Sequence, residues 1–495
     1  MRSGARRAYN RYANDVTTAR RTVPARRRRE LVPIMTTYQA VLDDRQLEEL
    51  RESVHGDIVQ PGDPGYDTAR RAYNAMHDRH PALVLQAADA SDVLAGVNLA
   101  RQRGLPLAVR GGGHAVAGYA TCDDGLVLDL GRMRGVRVDP ERRTARAEGG
   151  CTWADLNHAT HAFGLATTGG IVSTTGVAGL TLGGGMGYLS RRCGLACDNL
   201  VSADVVTADG RLLMCDEDRN PDLFWAVRGG GGNFGVVTSF EFRLHPVGDV
   251  LAGPTFYPLD GDVARRYREL IPEAPEELGA LLGVVLGPPA PFLPERWHGR
   301  PVMVVLTCWS GPGEEDGQVR ARLAALGPVI GQHVARMPYP VINTLFDDEM
   351  PTGLYHYWKG YFSRELTDGA IDVHLAYGAA LPSLQSDTLI FPIDGACHRV
   401  GPGETAFAYR DAAFSTGIGP SFTDPADIAA NVGWCRAYDA ALRPHSQEGG
   451  YVNFLDADDQ DRVRANYRQN YERLVAVKRR YDPGNLFRLN QNIAP

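Results

Sequence analysis

Between residues 82 and 110 the apolar positions change period twice. Residues 82–86 form a short, almost continuous apolar run, as a buried strand requires. From Ser91 to Arg101 the apolar residues Val93, Val97 and Ala100 recur at three- and four-residue steps, which predicts a helix capped by Ser91. Residues 105–109 return to the strand pattern, so after a helical start from residue 36 the first half begins with a βαβ unit. From Gly111 to Gly235 short β-rich runs (126–130, 136–138, 205–207 and 236–242) alternate with glycine-rich turns, and a helix capped by Thr152 is predicted over 152–163. That mixture is α+β, not a regular alternation of strands and helices. Beyond Pro246 the segments lengthen, with alternation over 301–307 and a predicted helix over 317–326, which places a second domain at 250–445. Near the end, Val463, Tyr467, Tyr471, Leu474, Val477 and Tyr481 share one face of a predicted helix that Asp482-Pro483-Gly484-Asn485 stops.

Composition narrows the class. A length of 495 residues suits two or three domains, and 44% hydrophobic with 22% charged residues is the balance of a soluble globular protein. No apolar run approaches the roughly 18 residues that span a bilayer, and no secretory signal is read, so no membrane association and a cytoplasmic location are expected. A net charge of −7 argues against nucleic-acid binding. Residues 1–35 form a basic arm with ten arginines against two acids; it reads as a disordered tail, as sequence upstream of a start at Met35, or as an arm for an acidic partner. The eight cysteines show no paired zinc spacing. Cys193 and Cys197 lack a second pair, no metal site is expected, and most read as small buried hydrophobes.

Three glycine runs carry the candidate chemistry. Arg110-Gly111-Gly112-Gly113-His114 follows a strand. Without Cβ atoms its N–H groups can converge on an anion such as a pyrophosphate, with Arg110 adding charge, although a glycine triplet equally suits a tight turn. Gly169 to Gly179, followed by Gly183-Gly184-Gly185-Met186-Gly187, is small and polar, a composition suited to a backbone laid along a flat ligand. The third run, Arg228 to Gly235, contains GxGxxG at Gly230, Gly232 and Gly235, but a β-branched strand follows where a nicotinamide site needs a helix. Together the runs suit a dinucleotide held outside Rossmann topology.

These motifs, with Gly194 to Leu200, Asp222 to Gly235, Tyr451-Val452-Asn453-Phe454 and Tyr481 to Phe487, resemble the berberine-bridge-enzyme-like, FAD-linked oxidases of the vanillyl-alcohol oxidase superfamily. The resemblance implies a two-part PCMH-type FAD-binding domain, residues 40–247 and 448–495. It also implies an inserted substrate domain, 248–447, of antiparallel sheet covered by helices. It assigns Arg110, Gly111, Gly112, Gly113 and His114 to the pyrophosphate loop, with His114 bonded covalently to the flavin. Val172, Thr174, Thr175, Gly176, Gly179 and Val237 fall on the cofactor, as do Asn490 and Asn492 unless those two merely cap the chain end. Bicovalent members carry a cysteine at the position of Val172, so a single link through His114 is expected. Thr175 holds the position whose small size admits oxygen in resembling enzymes.

The activity the resemblance implies is two-electron oxidation of an alcohol or amine carbon of a small molecule, with oxygen as acceptor and secondary metabolism as the expected setting. A non-oxygen acceptor and a flavin protein that binds without turnover are the alternatives. Tyr451 matches the family's tyrosine base. A phenol with a free pKa of about 10 needs positive charge nearby to act as one. Lys359 is the expected charge: alternation over 355–361 places Tyr355, Tyr357, Lys359 and Tyr361 on one face, here assigned to the pocket, and His356 and Trp358 on the other. An amphipathic surface strand fits the same pattern. Tyr409, with Arg410 and Asp411, is a further substrate-facing candidate.

Overall fold

The computed structural model describes residues 42–495, so the basic arm lies outside the described residues. Strands β1 (Asp57–Val59), β2 (Leu83–Gln86), β3 (Leu107–Arg110) and β4 (Leu126–Asp129) form a sheet of order β1-β2-β4-β3, parallel except at β1. Helix α1 (Ala90–Arg103) links β2 to β3. Its cap is Asp89 rather than Ser91: the Asp89 carboxylate accepts from the N–H groups of Ser91 and Asp92, satisfying donors that the first turn leaves free. A second, antiparallel sheet comprises β5 (Val136–Asp139), β6 (Thr144–Glu148), β7 (Leu200–Val206), β8 (Leu212–Cys215) and β9 (Val236–Arg243), in the order β5-β6-β9-β7-β8. Helix α2 (Trp153–His161) packs on it behind a capping box of Thr152 and Asp155.

The third sheet is larger and wholly antiparallel. Strands β10 (Asp249–Pro258), β11 (Leu278–Leu286), β12 (Pro301–Trp309), β13 (Lys359–Ser363), β14 (Asp387–Pro392) and β15 (Phe414–Gly419) run in the order β10-β12-β11-β14-β15-β13. Two short strands, Gly331–Gln332 and Ala335–Pro338, extend the β10 edge. Its two faces follow the period of two. Met303, Val305, Tyr357, Tyr361, Ile390 and Ile418 pack under helices α3 (Gly261–Glu273), α4 (Asp368–Gly378) and α5 (Ile428–Leu442). Val302, Val304, Leu306, Phe362 and Phe391 instead meet Met186, Tyr188 and Tyr451, so this face closes over the glycine-rich part of the chain.

Two segments depart from the sequence pattern. The C-terminal periodicity is one helix in sequence but two in space, Val463–Tyr467 and α6 (Tyr471–Tyr481). The break falls at Arg468, held at φ +47° while its guanidinium lies 3.7 Å from the Tyr409 ring centroid and bonds Asp411 at 2.5 Å. The run 355–361 also divides: Tyr355–His356 pairs with Ser421–Phe422, and β13 starts only at Lys359. All eight cysteines are buried free thiols. Among the described residues no helix is long and apolar enough to cross a membrane.

Candidate active site

A cavity of about 340 Å³ lies between the large sheet and the glycine-rich segments, and all three glycine runs line it. The glycines do different jobs there. A Cβ on Gly112 would stand 2.3 Å from the Gly176 nitrogen, and one on Gly176 2.4 Å from the Gly112 nitrogen, so these two let the first and second runs touch backbone to backbone. A Cβ on Gly179 or Gly232 would meet nothing within 4 Å, leaving bare main chain beside open space. The C-terminal return completes the wall with Phe487, Leu489 and Asn490. Lys478 pins that return to the third run: its buried Nζ donates to the carbonyls of Asn233 (2.8 Å) and Phe487 (2.9 Å) and to Asp482 Oδ2 (2.6 Å).

His114 sits at the head of the first run. Its Nε2 lies 3.0 Å from Thr174 Oγ1 and its Nδ1 3.4 Å from Thr175 Oγ1. Its ring stacks on Tyr73 at 4.1 Å between centroids, and Tyr73 stacks in turn on His356 at 4.6 Å. Burial pushes the His114 pKa down to about 4 and that of His356 to about 3, so both imidazoles are neutral at physiological pH. The Tyr73 hydroxyl, buried and without a hydrogen-bond partner, is pushed well above the ordinary phenol value by burial and then by the Asp387 charge.

Arg110, Thr174 and Asn492 stand outside the cavity wall. The buried Arg110 guanidinium props the loop from behind, donating to the carbonyls of Ala120 (3.1 Å) and Ala69 (2.6 Å). Among the described residues Thr174 Oγ1 bonds His114, and the Asn492 N–H bonds Gln460. Gly111, Gly112, Gly113, His114, Val172, Thr175, Gly176, Gly179, Val237 and Asn490 are gathered in the wall.

The pocket face of 355–361 is the reverse of the one expected. Trp358 lines the cavity, whereas Tyr357, Lys359 and Tyr361 point to the helix-covered side and Tyr355 stacks on Phe422. Lys359 Nζ is held by Asp458 (2.6 Å) and Asp459 (2.7 Å); burial alone would lower its pKa, but the two carboxylates more than offset this and raise it. Its charge is thus neutralised by those two carboxylates. Tyr409 Oη donates to the Ala465 carbonyl and accepts from Gly449, Arg410 pairs with buried Asp198, and Asp411 pairs with Arg364 and Arg468. None of these three lines the cavity. Tyr451 does, and its Oη accepts from Gly185 N–H (3.0 Å) and Asn453 Nδ2 (2.7 Å), while burial pushes its pKa up to about 12.

The sequence reading missed Asp387. It heads β14 and faces the cavity; its carboxylate accepts no hydrogen bond from any described residue, and burial alone pushes its pKa to about 7. The signal was present: Asp387, Leu389 and Phe391 alternate on one face, and all three line the cavity. The residues present fit a long flat dinucleotide. The wall combines bare glycine backbone with unpartnered buried polar atoms on Asn490 (Oδ1) and Gln491 (Oε1), and a neutral imidazole lies at one end.

Comparison with known proteins agrees with this geometry. The family described as "FAD binding domain" matches residues 81–216, and "Berberine and berberine like" matches 450–494. An FAD-linked oxidoreductase of Dictyostelium discoideum is 31% identical over 464 residues, covering 91% of this chain and 97% of that protein. The crystal structure of 6-hydroxy-D-nicotine oxidase from Arthrobacter nicotinovorans superposes with a TM-score of 0.79 at 30% identity, covering 90% of this chain and 98% of that one. A glucooligosaccharide oxidase from Acremonium strictum, whose FAD is 6-S-cysteinyl and 8α-N1-histidyl, shares the fold with a TM-score of 0.77 at 23% identity, covering 88% and 96%.

Proposed function

The chain belongs to the FAD-linked oxidoreductases with a berberine-like C-terminal segment, and on that premise we propose that it oxidises an alcohol or amine carbon of a small, largely apolar molecule, with oxygen as the electron acceptor. In this reading residues 40–247 and 448–495 hold FAD and 248–447 cover it with the substrate. FAD bound in the cradle would supply a two-electron acceptor for the substrate carbon. His114 anchors it by one covalent bond; a neutral imidazole is the nucleophilic form, and stacking on Tyr73 with hydrogen bonding to Thr174 fixes its orientation. Val172, in the wall where a second link would form, has no nucleophilic atom. Thr175, beside His114 in the wall, holds the position whose small side chain admits oxygen in resembling enzymes.

The observation that carries the reading is Asp387: its carboxylate faces the cavity without a hydrogen-bond partner among the described residues, and burial pushes its pKa up to about 7, near the range where a general base works best. Asp387 takes the proton of the substrate O–H or N–H as the carbon gives up its hydrogen with both electrons. Tyr451 is a weaker base, because burial keeps its phenol protonated and Lys359 is spent elsewhere. Acid precipitation tests the anchor. A yellow pellet from the wild type and a colourless one from His114→Ala are expected, and a colourless wild-type pellet refutes the covalent link. Reoxidation in seconds when air reaches substrate-reduced enzyme is expected of an oxidase, and persistent bleaching refutes oxygen as acceptor.

A further inference from the structure

We infer that residues 343–354 are a lid over the cavity, latched shut by Asp347 against Ser173, and that the segment lifts to let a ligand pass. The segment joins the helix Tyr339–Ile342 to the strand Tyr355–His356 as a run of turns, outside every helix and sheet. The Met350 N–H donates to the Phe346 carbonyl at 3.0 Å, a four-residue turn, and the side chains of Phe346 and Met350 both line the cavity. Asp348, Glu349, Pro351, Thr352 and Gly353 are exposed. A single layer of chain therefore stands between the cavity and solvent at this place.

Both ends of the segment are fixed. Buried Asn343 donates from Nδ2 to the Gly170 carbonyl at 2.7 Å. At the other end the Gly353 N–H donates to the Tyr73 carbonyl, and the Leu354 carbonyl accepts from the Ala75 N–H, each at 2.9 Å. The middle is tied through Asp347, whose Oδ2 accepts from Ser173 Oγ at 2.6 Å and whose Oδ1 accepts from the Ser173 N–H at 3.1 Å. Ser173 lies in the second glycine run between Val172 and Thr174, so the latch joins the segment to the wall beside His114. Both bonds fall on one carboxylate, which makes each of them strong and makes them break together. Leu345 and Phe346 add apolar packing that lifting would expose. Gly353 holds φ +101°, and a Cβ there would meet nothing within 4 Å, which suits a hinge. A segment fixed at its ends, free of ladder bonds and latched at its middle opens at less than the cost of global unfolding.

The test uses flavin-loaded full-length protein and two readouts. By hydrogen exchange, the amides of 344–352 should exchange faster than those of strands β10 to β12. Asp347→Ala should speed the exchange of 344–352 at least about tenfold, the scale of a hydrogen bond to a charged group, and leave those strands unchanged. Ser173→Ala removes the hydroxyl and keeps the N–H, so it should act more weakly, and in the Asp347→Ala background it should add nothing, as coupled partners require. Access to the cavity is read with sulfite, a small nucleophile that bleaches oxidised flavin on reaching it. Bleaching should be at least about tenfold faster in Asp347→Ala than in the wild type. Unchanged exchange of 344–352 in Asp347→Ala, acceleration that extends through β10 to β12, or sulfite bleaching no faster than in the wild type overturns the lid. Colourless protein sinks the flavin reading instead, and exchange alone then decides the lid.

Discussion

Replacing Asp387 with asparagine should make the protein more stable at alkaline pH while nearly abolishing flavin reduction. Burial raises the Asp387 pKa from 3.8 to about 7, so the folded protein holds this proton where the unfolded chain has released it. Stability from this group is therefore greatest below about pH 4, declines as pH rises toward 7, and is level above that. Three pKa units correspond to about 4 kcal/mol at 1.36 kcal/mol per unit, an upper bound because the site opens onto a cavity that admits water. Asparagine has nothing to ionise. The variant should match the wild type at pH 4 and exceed it by as much as a few kcal/mol at pH 8.5, as read by denaturant melts of flavin-loaded protein. Flavin reduction followed by anaerobic stopped flow should fall by at least about a hundredfold, the low end for loss of a general base. In the wild type, kcat/KM should rise with pH through about 7, because the base must be unprotonated. A variant that reduces flavin at the wild-type rate, with the same pH-dependence of stability as the wild type, refutes both the burial argument and the role.

Tyr451→Phe leaves the Gly185 N–H without its acceptor and the Asn453 amide with the Leu180 carbonyl alone, at a cost of about 1–3 kcal/mol in denaturant melts. Flavin reduction should stay within about tenfold of wild type, and a loss beyond a hundredfold would restore Tyr451 as the base. Gly179→Leu should fold, since its Cβ meets no atom within 4 Å, yet purify largely colourless because its side chain enters the space beside the cradle; full yellow colour would show that the cofactor lies elsewhere.

Much of the architecture was legible from local pattern. Period-two runs and the spacing of Val93, Val97 and Ala100 marked strands and a helix because backbone geometry alone sets those periods. The glycine runs at 111–113, 169–187 and 228–235 were conspicuous because few other needs concentrate residues without side chains, and all three reach one cavity. Alternation over 355–361 also gave two faces. It could not say which face looks at the cavity, because both carry aromatic residues and both are covered, one by helices and the other by the glycine loops.

Charge was the least legible property. Lys359 looked free in sequence, but its partners Asp458 and Asp459 are about a hundred residues away and meet it only when the C-terminal return packs against β13. Asp387 looked like any carboxylate at a strand end. Its pKa is raised by burial, which exists only once β14, β15 and the cavity are assembled. The amino-acid order by itself determined where backbone would be bare and which segments would be strand or helix, since those depend on neighbours along the chain. Which ionisable groups stay unpaired, and so carry chemistry, was decided by tertiary structure, because desolvation and pairing depend on residues distant in sequence.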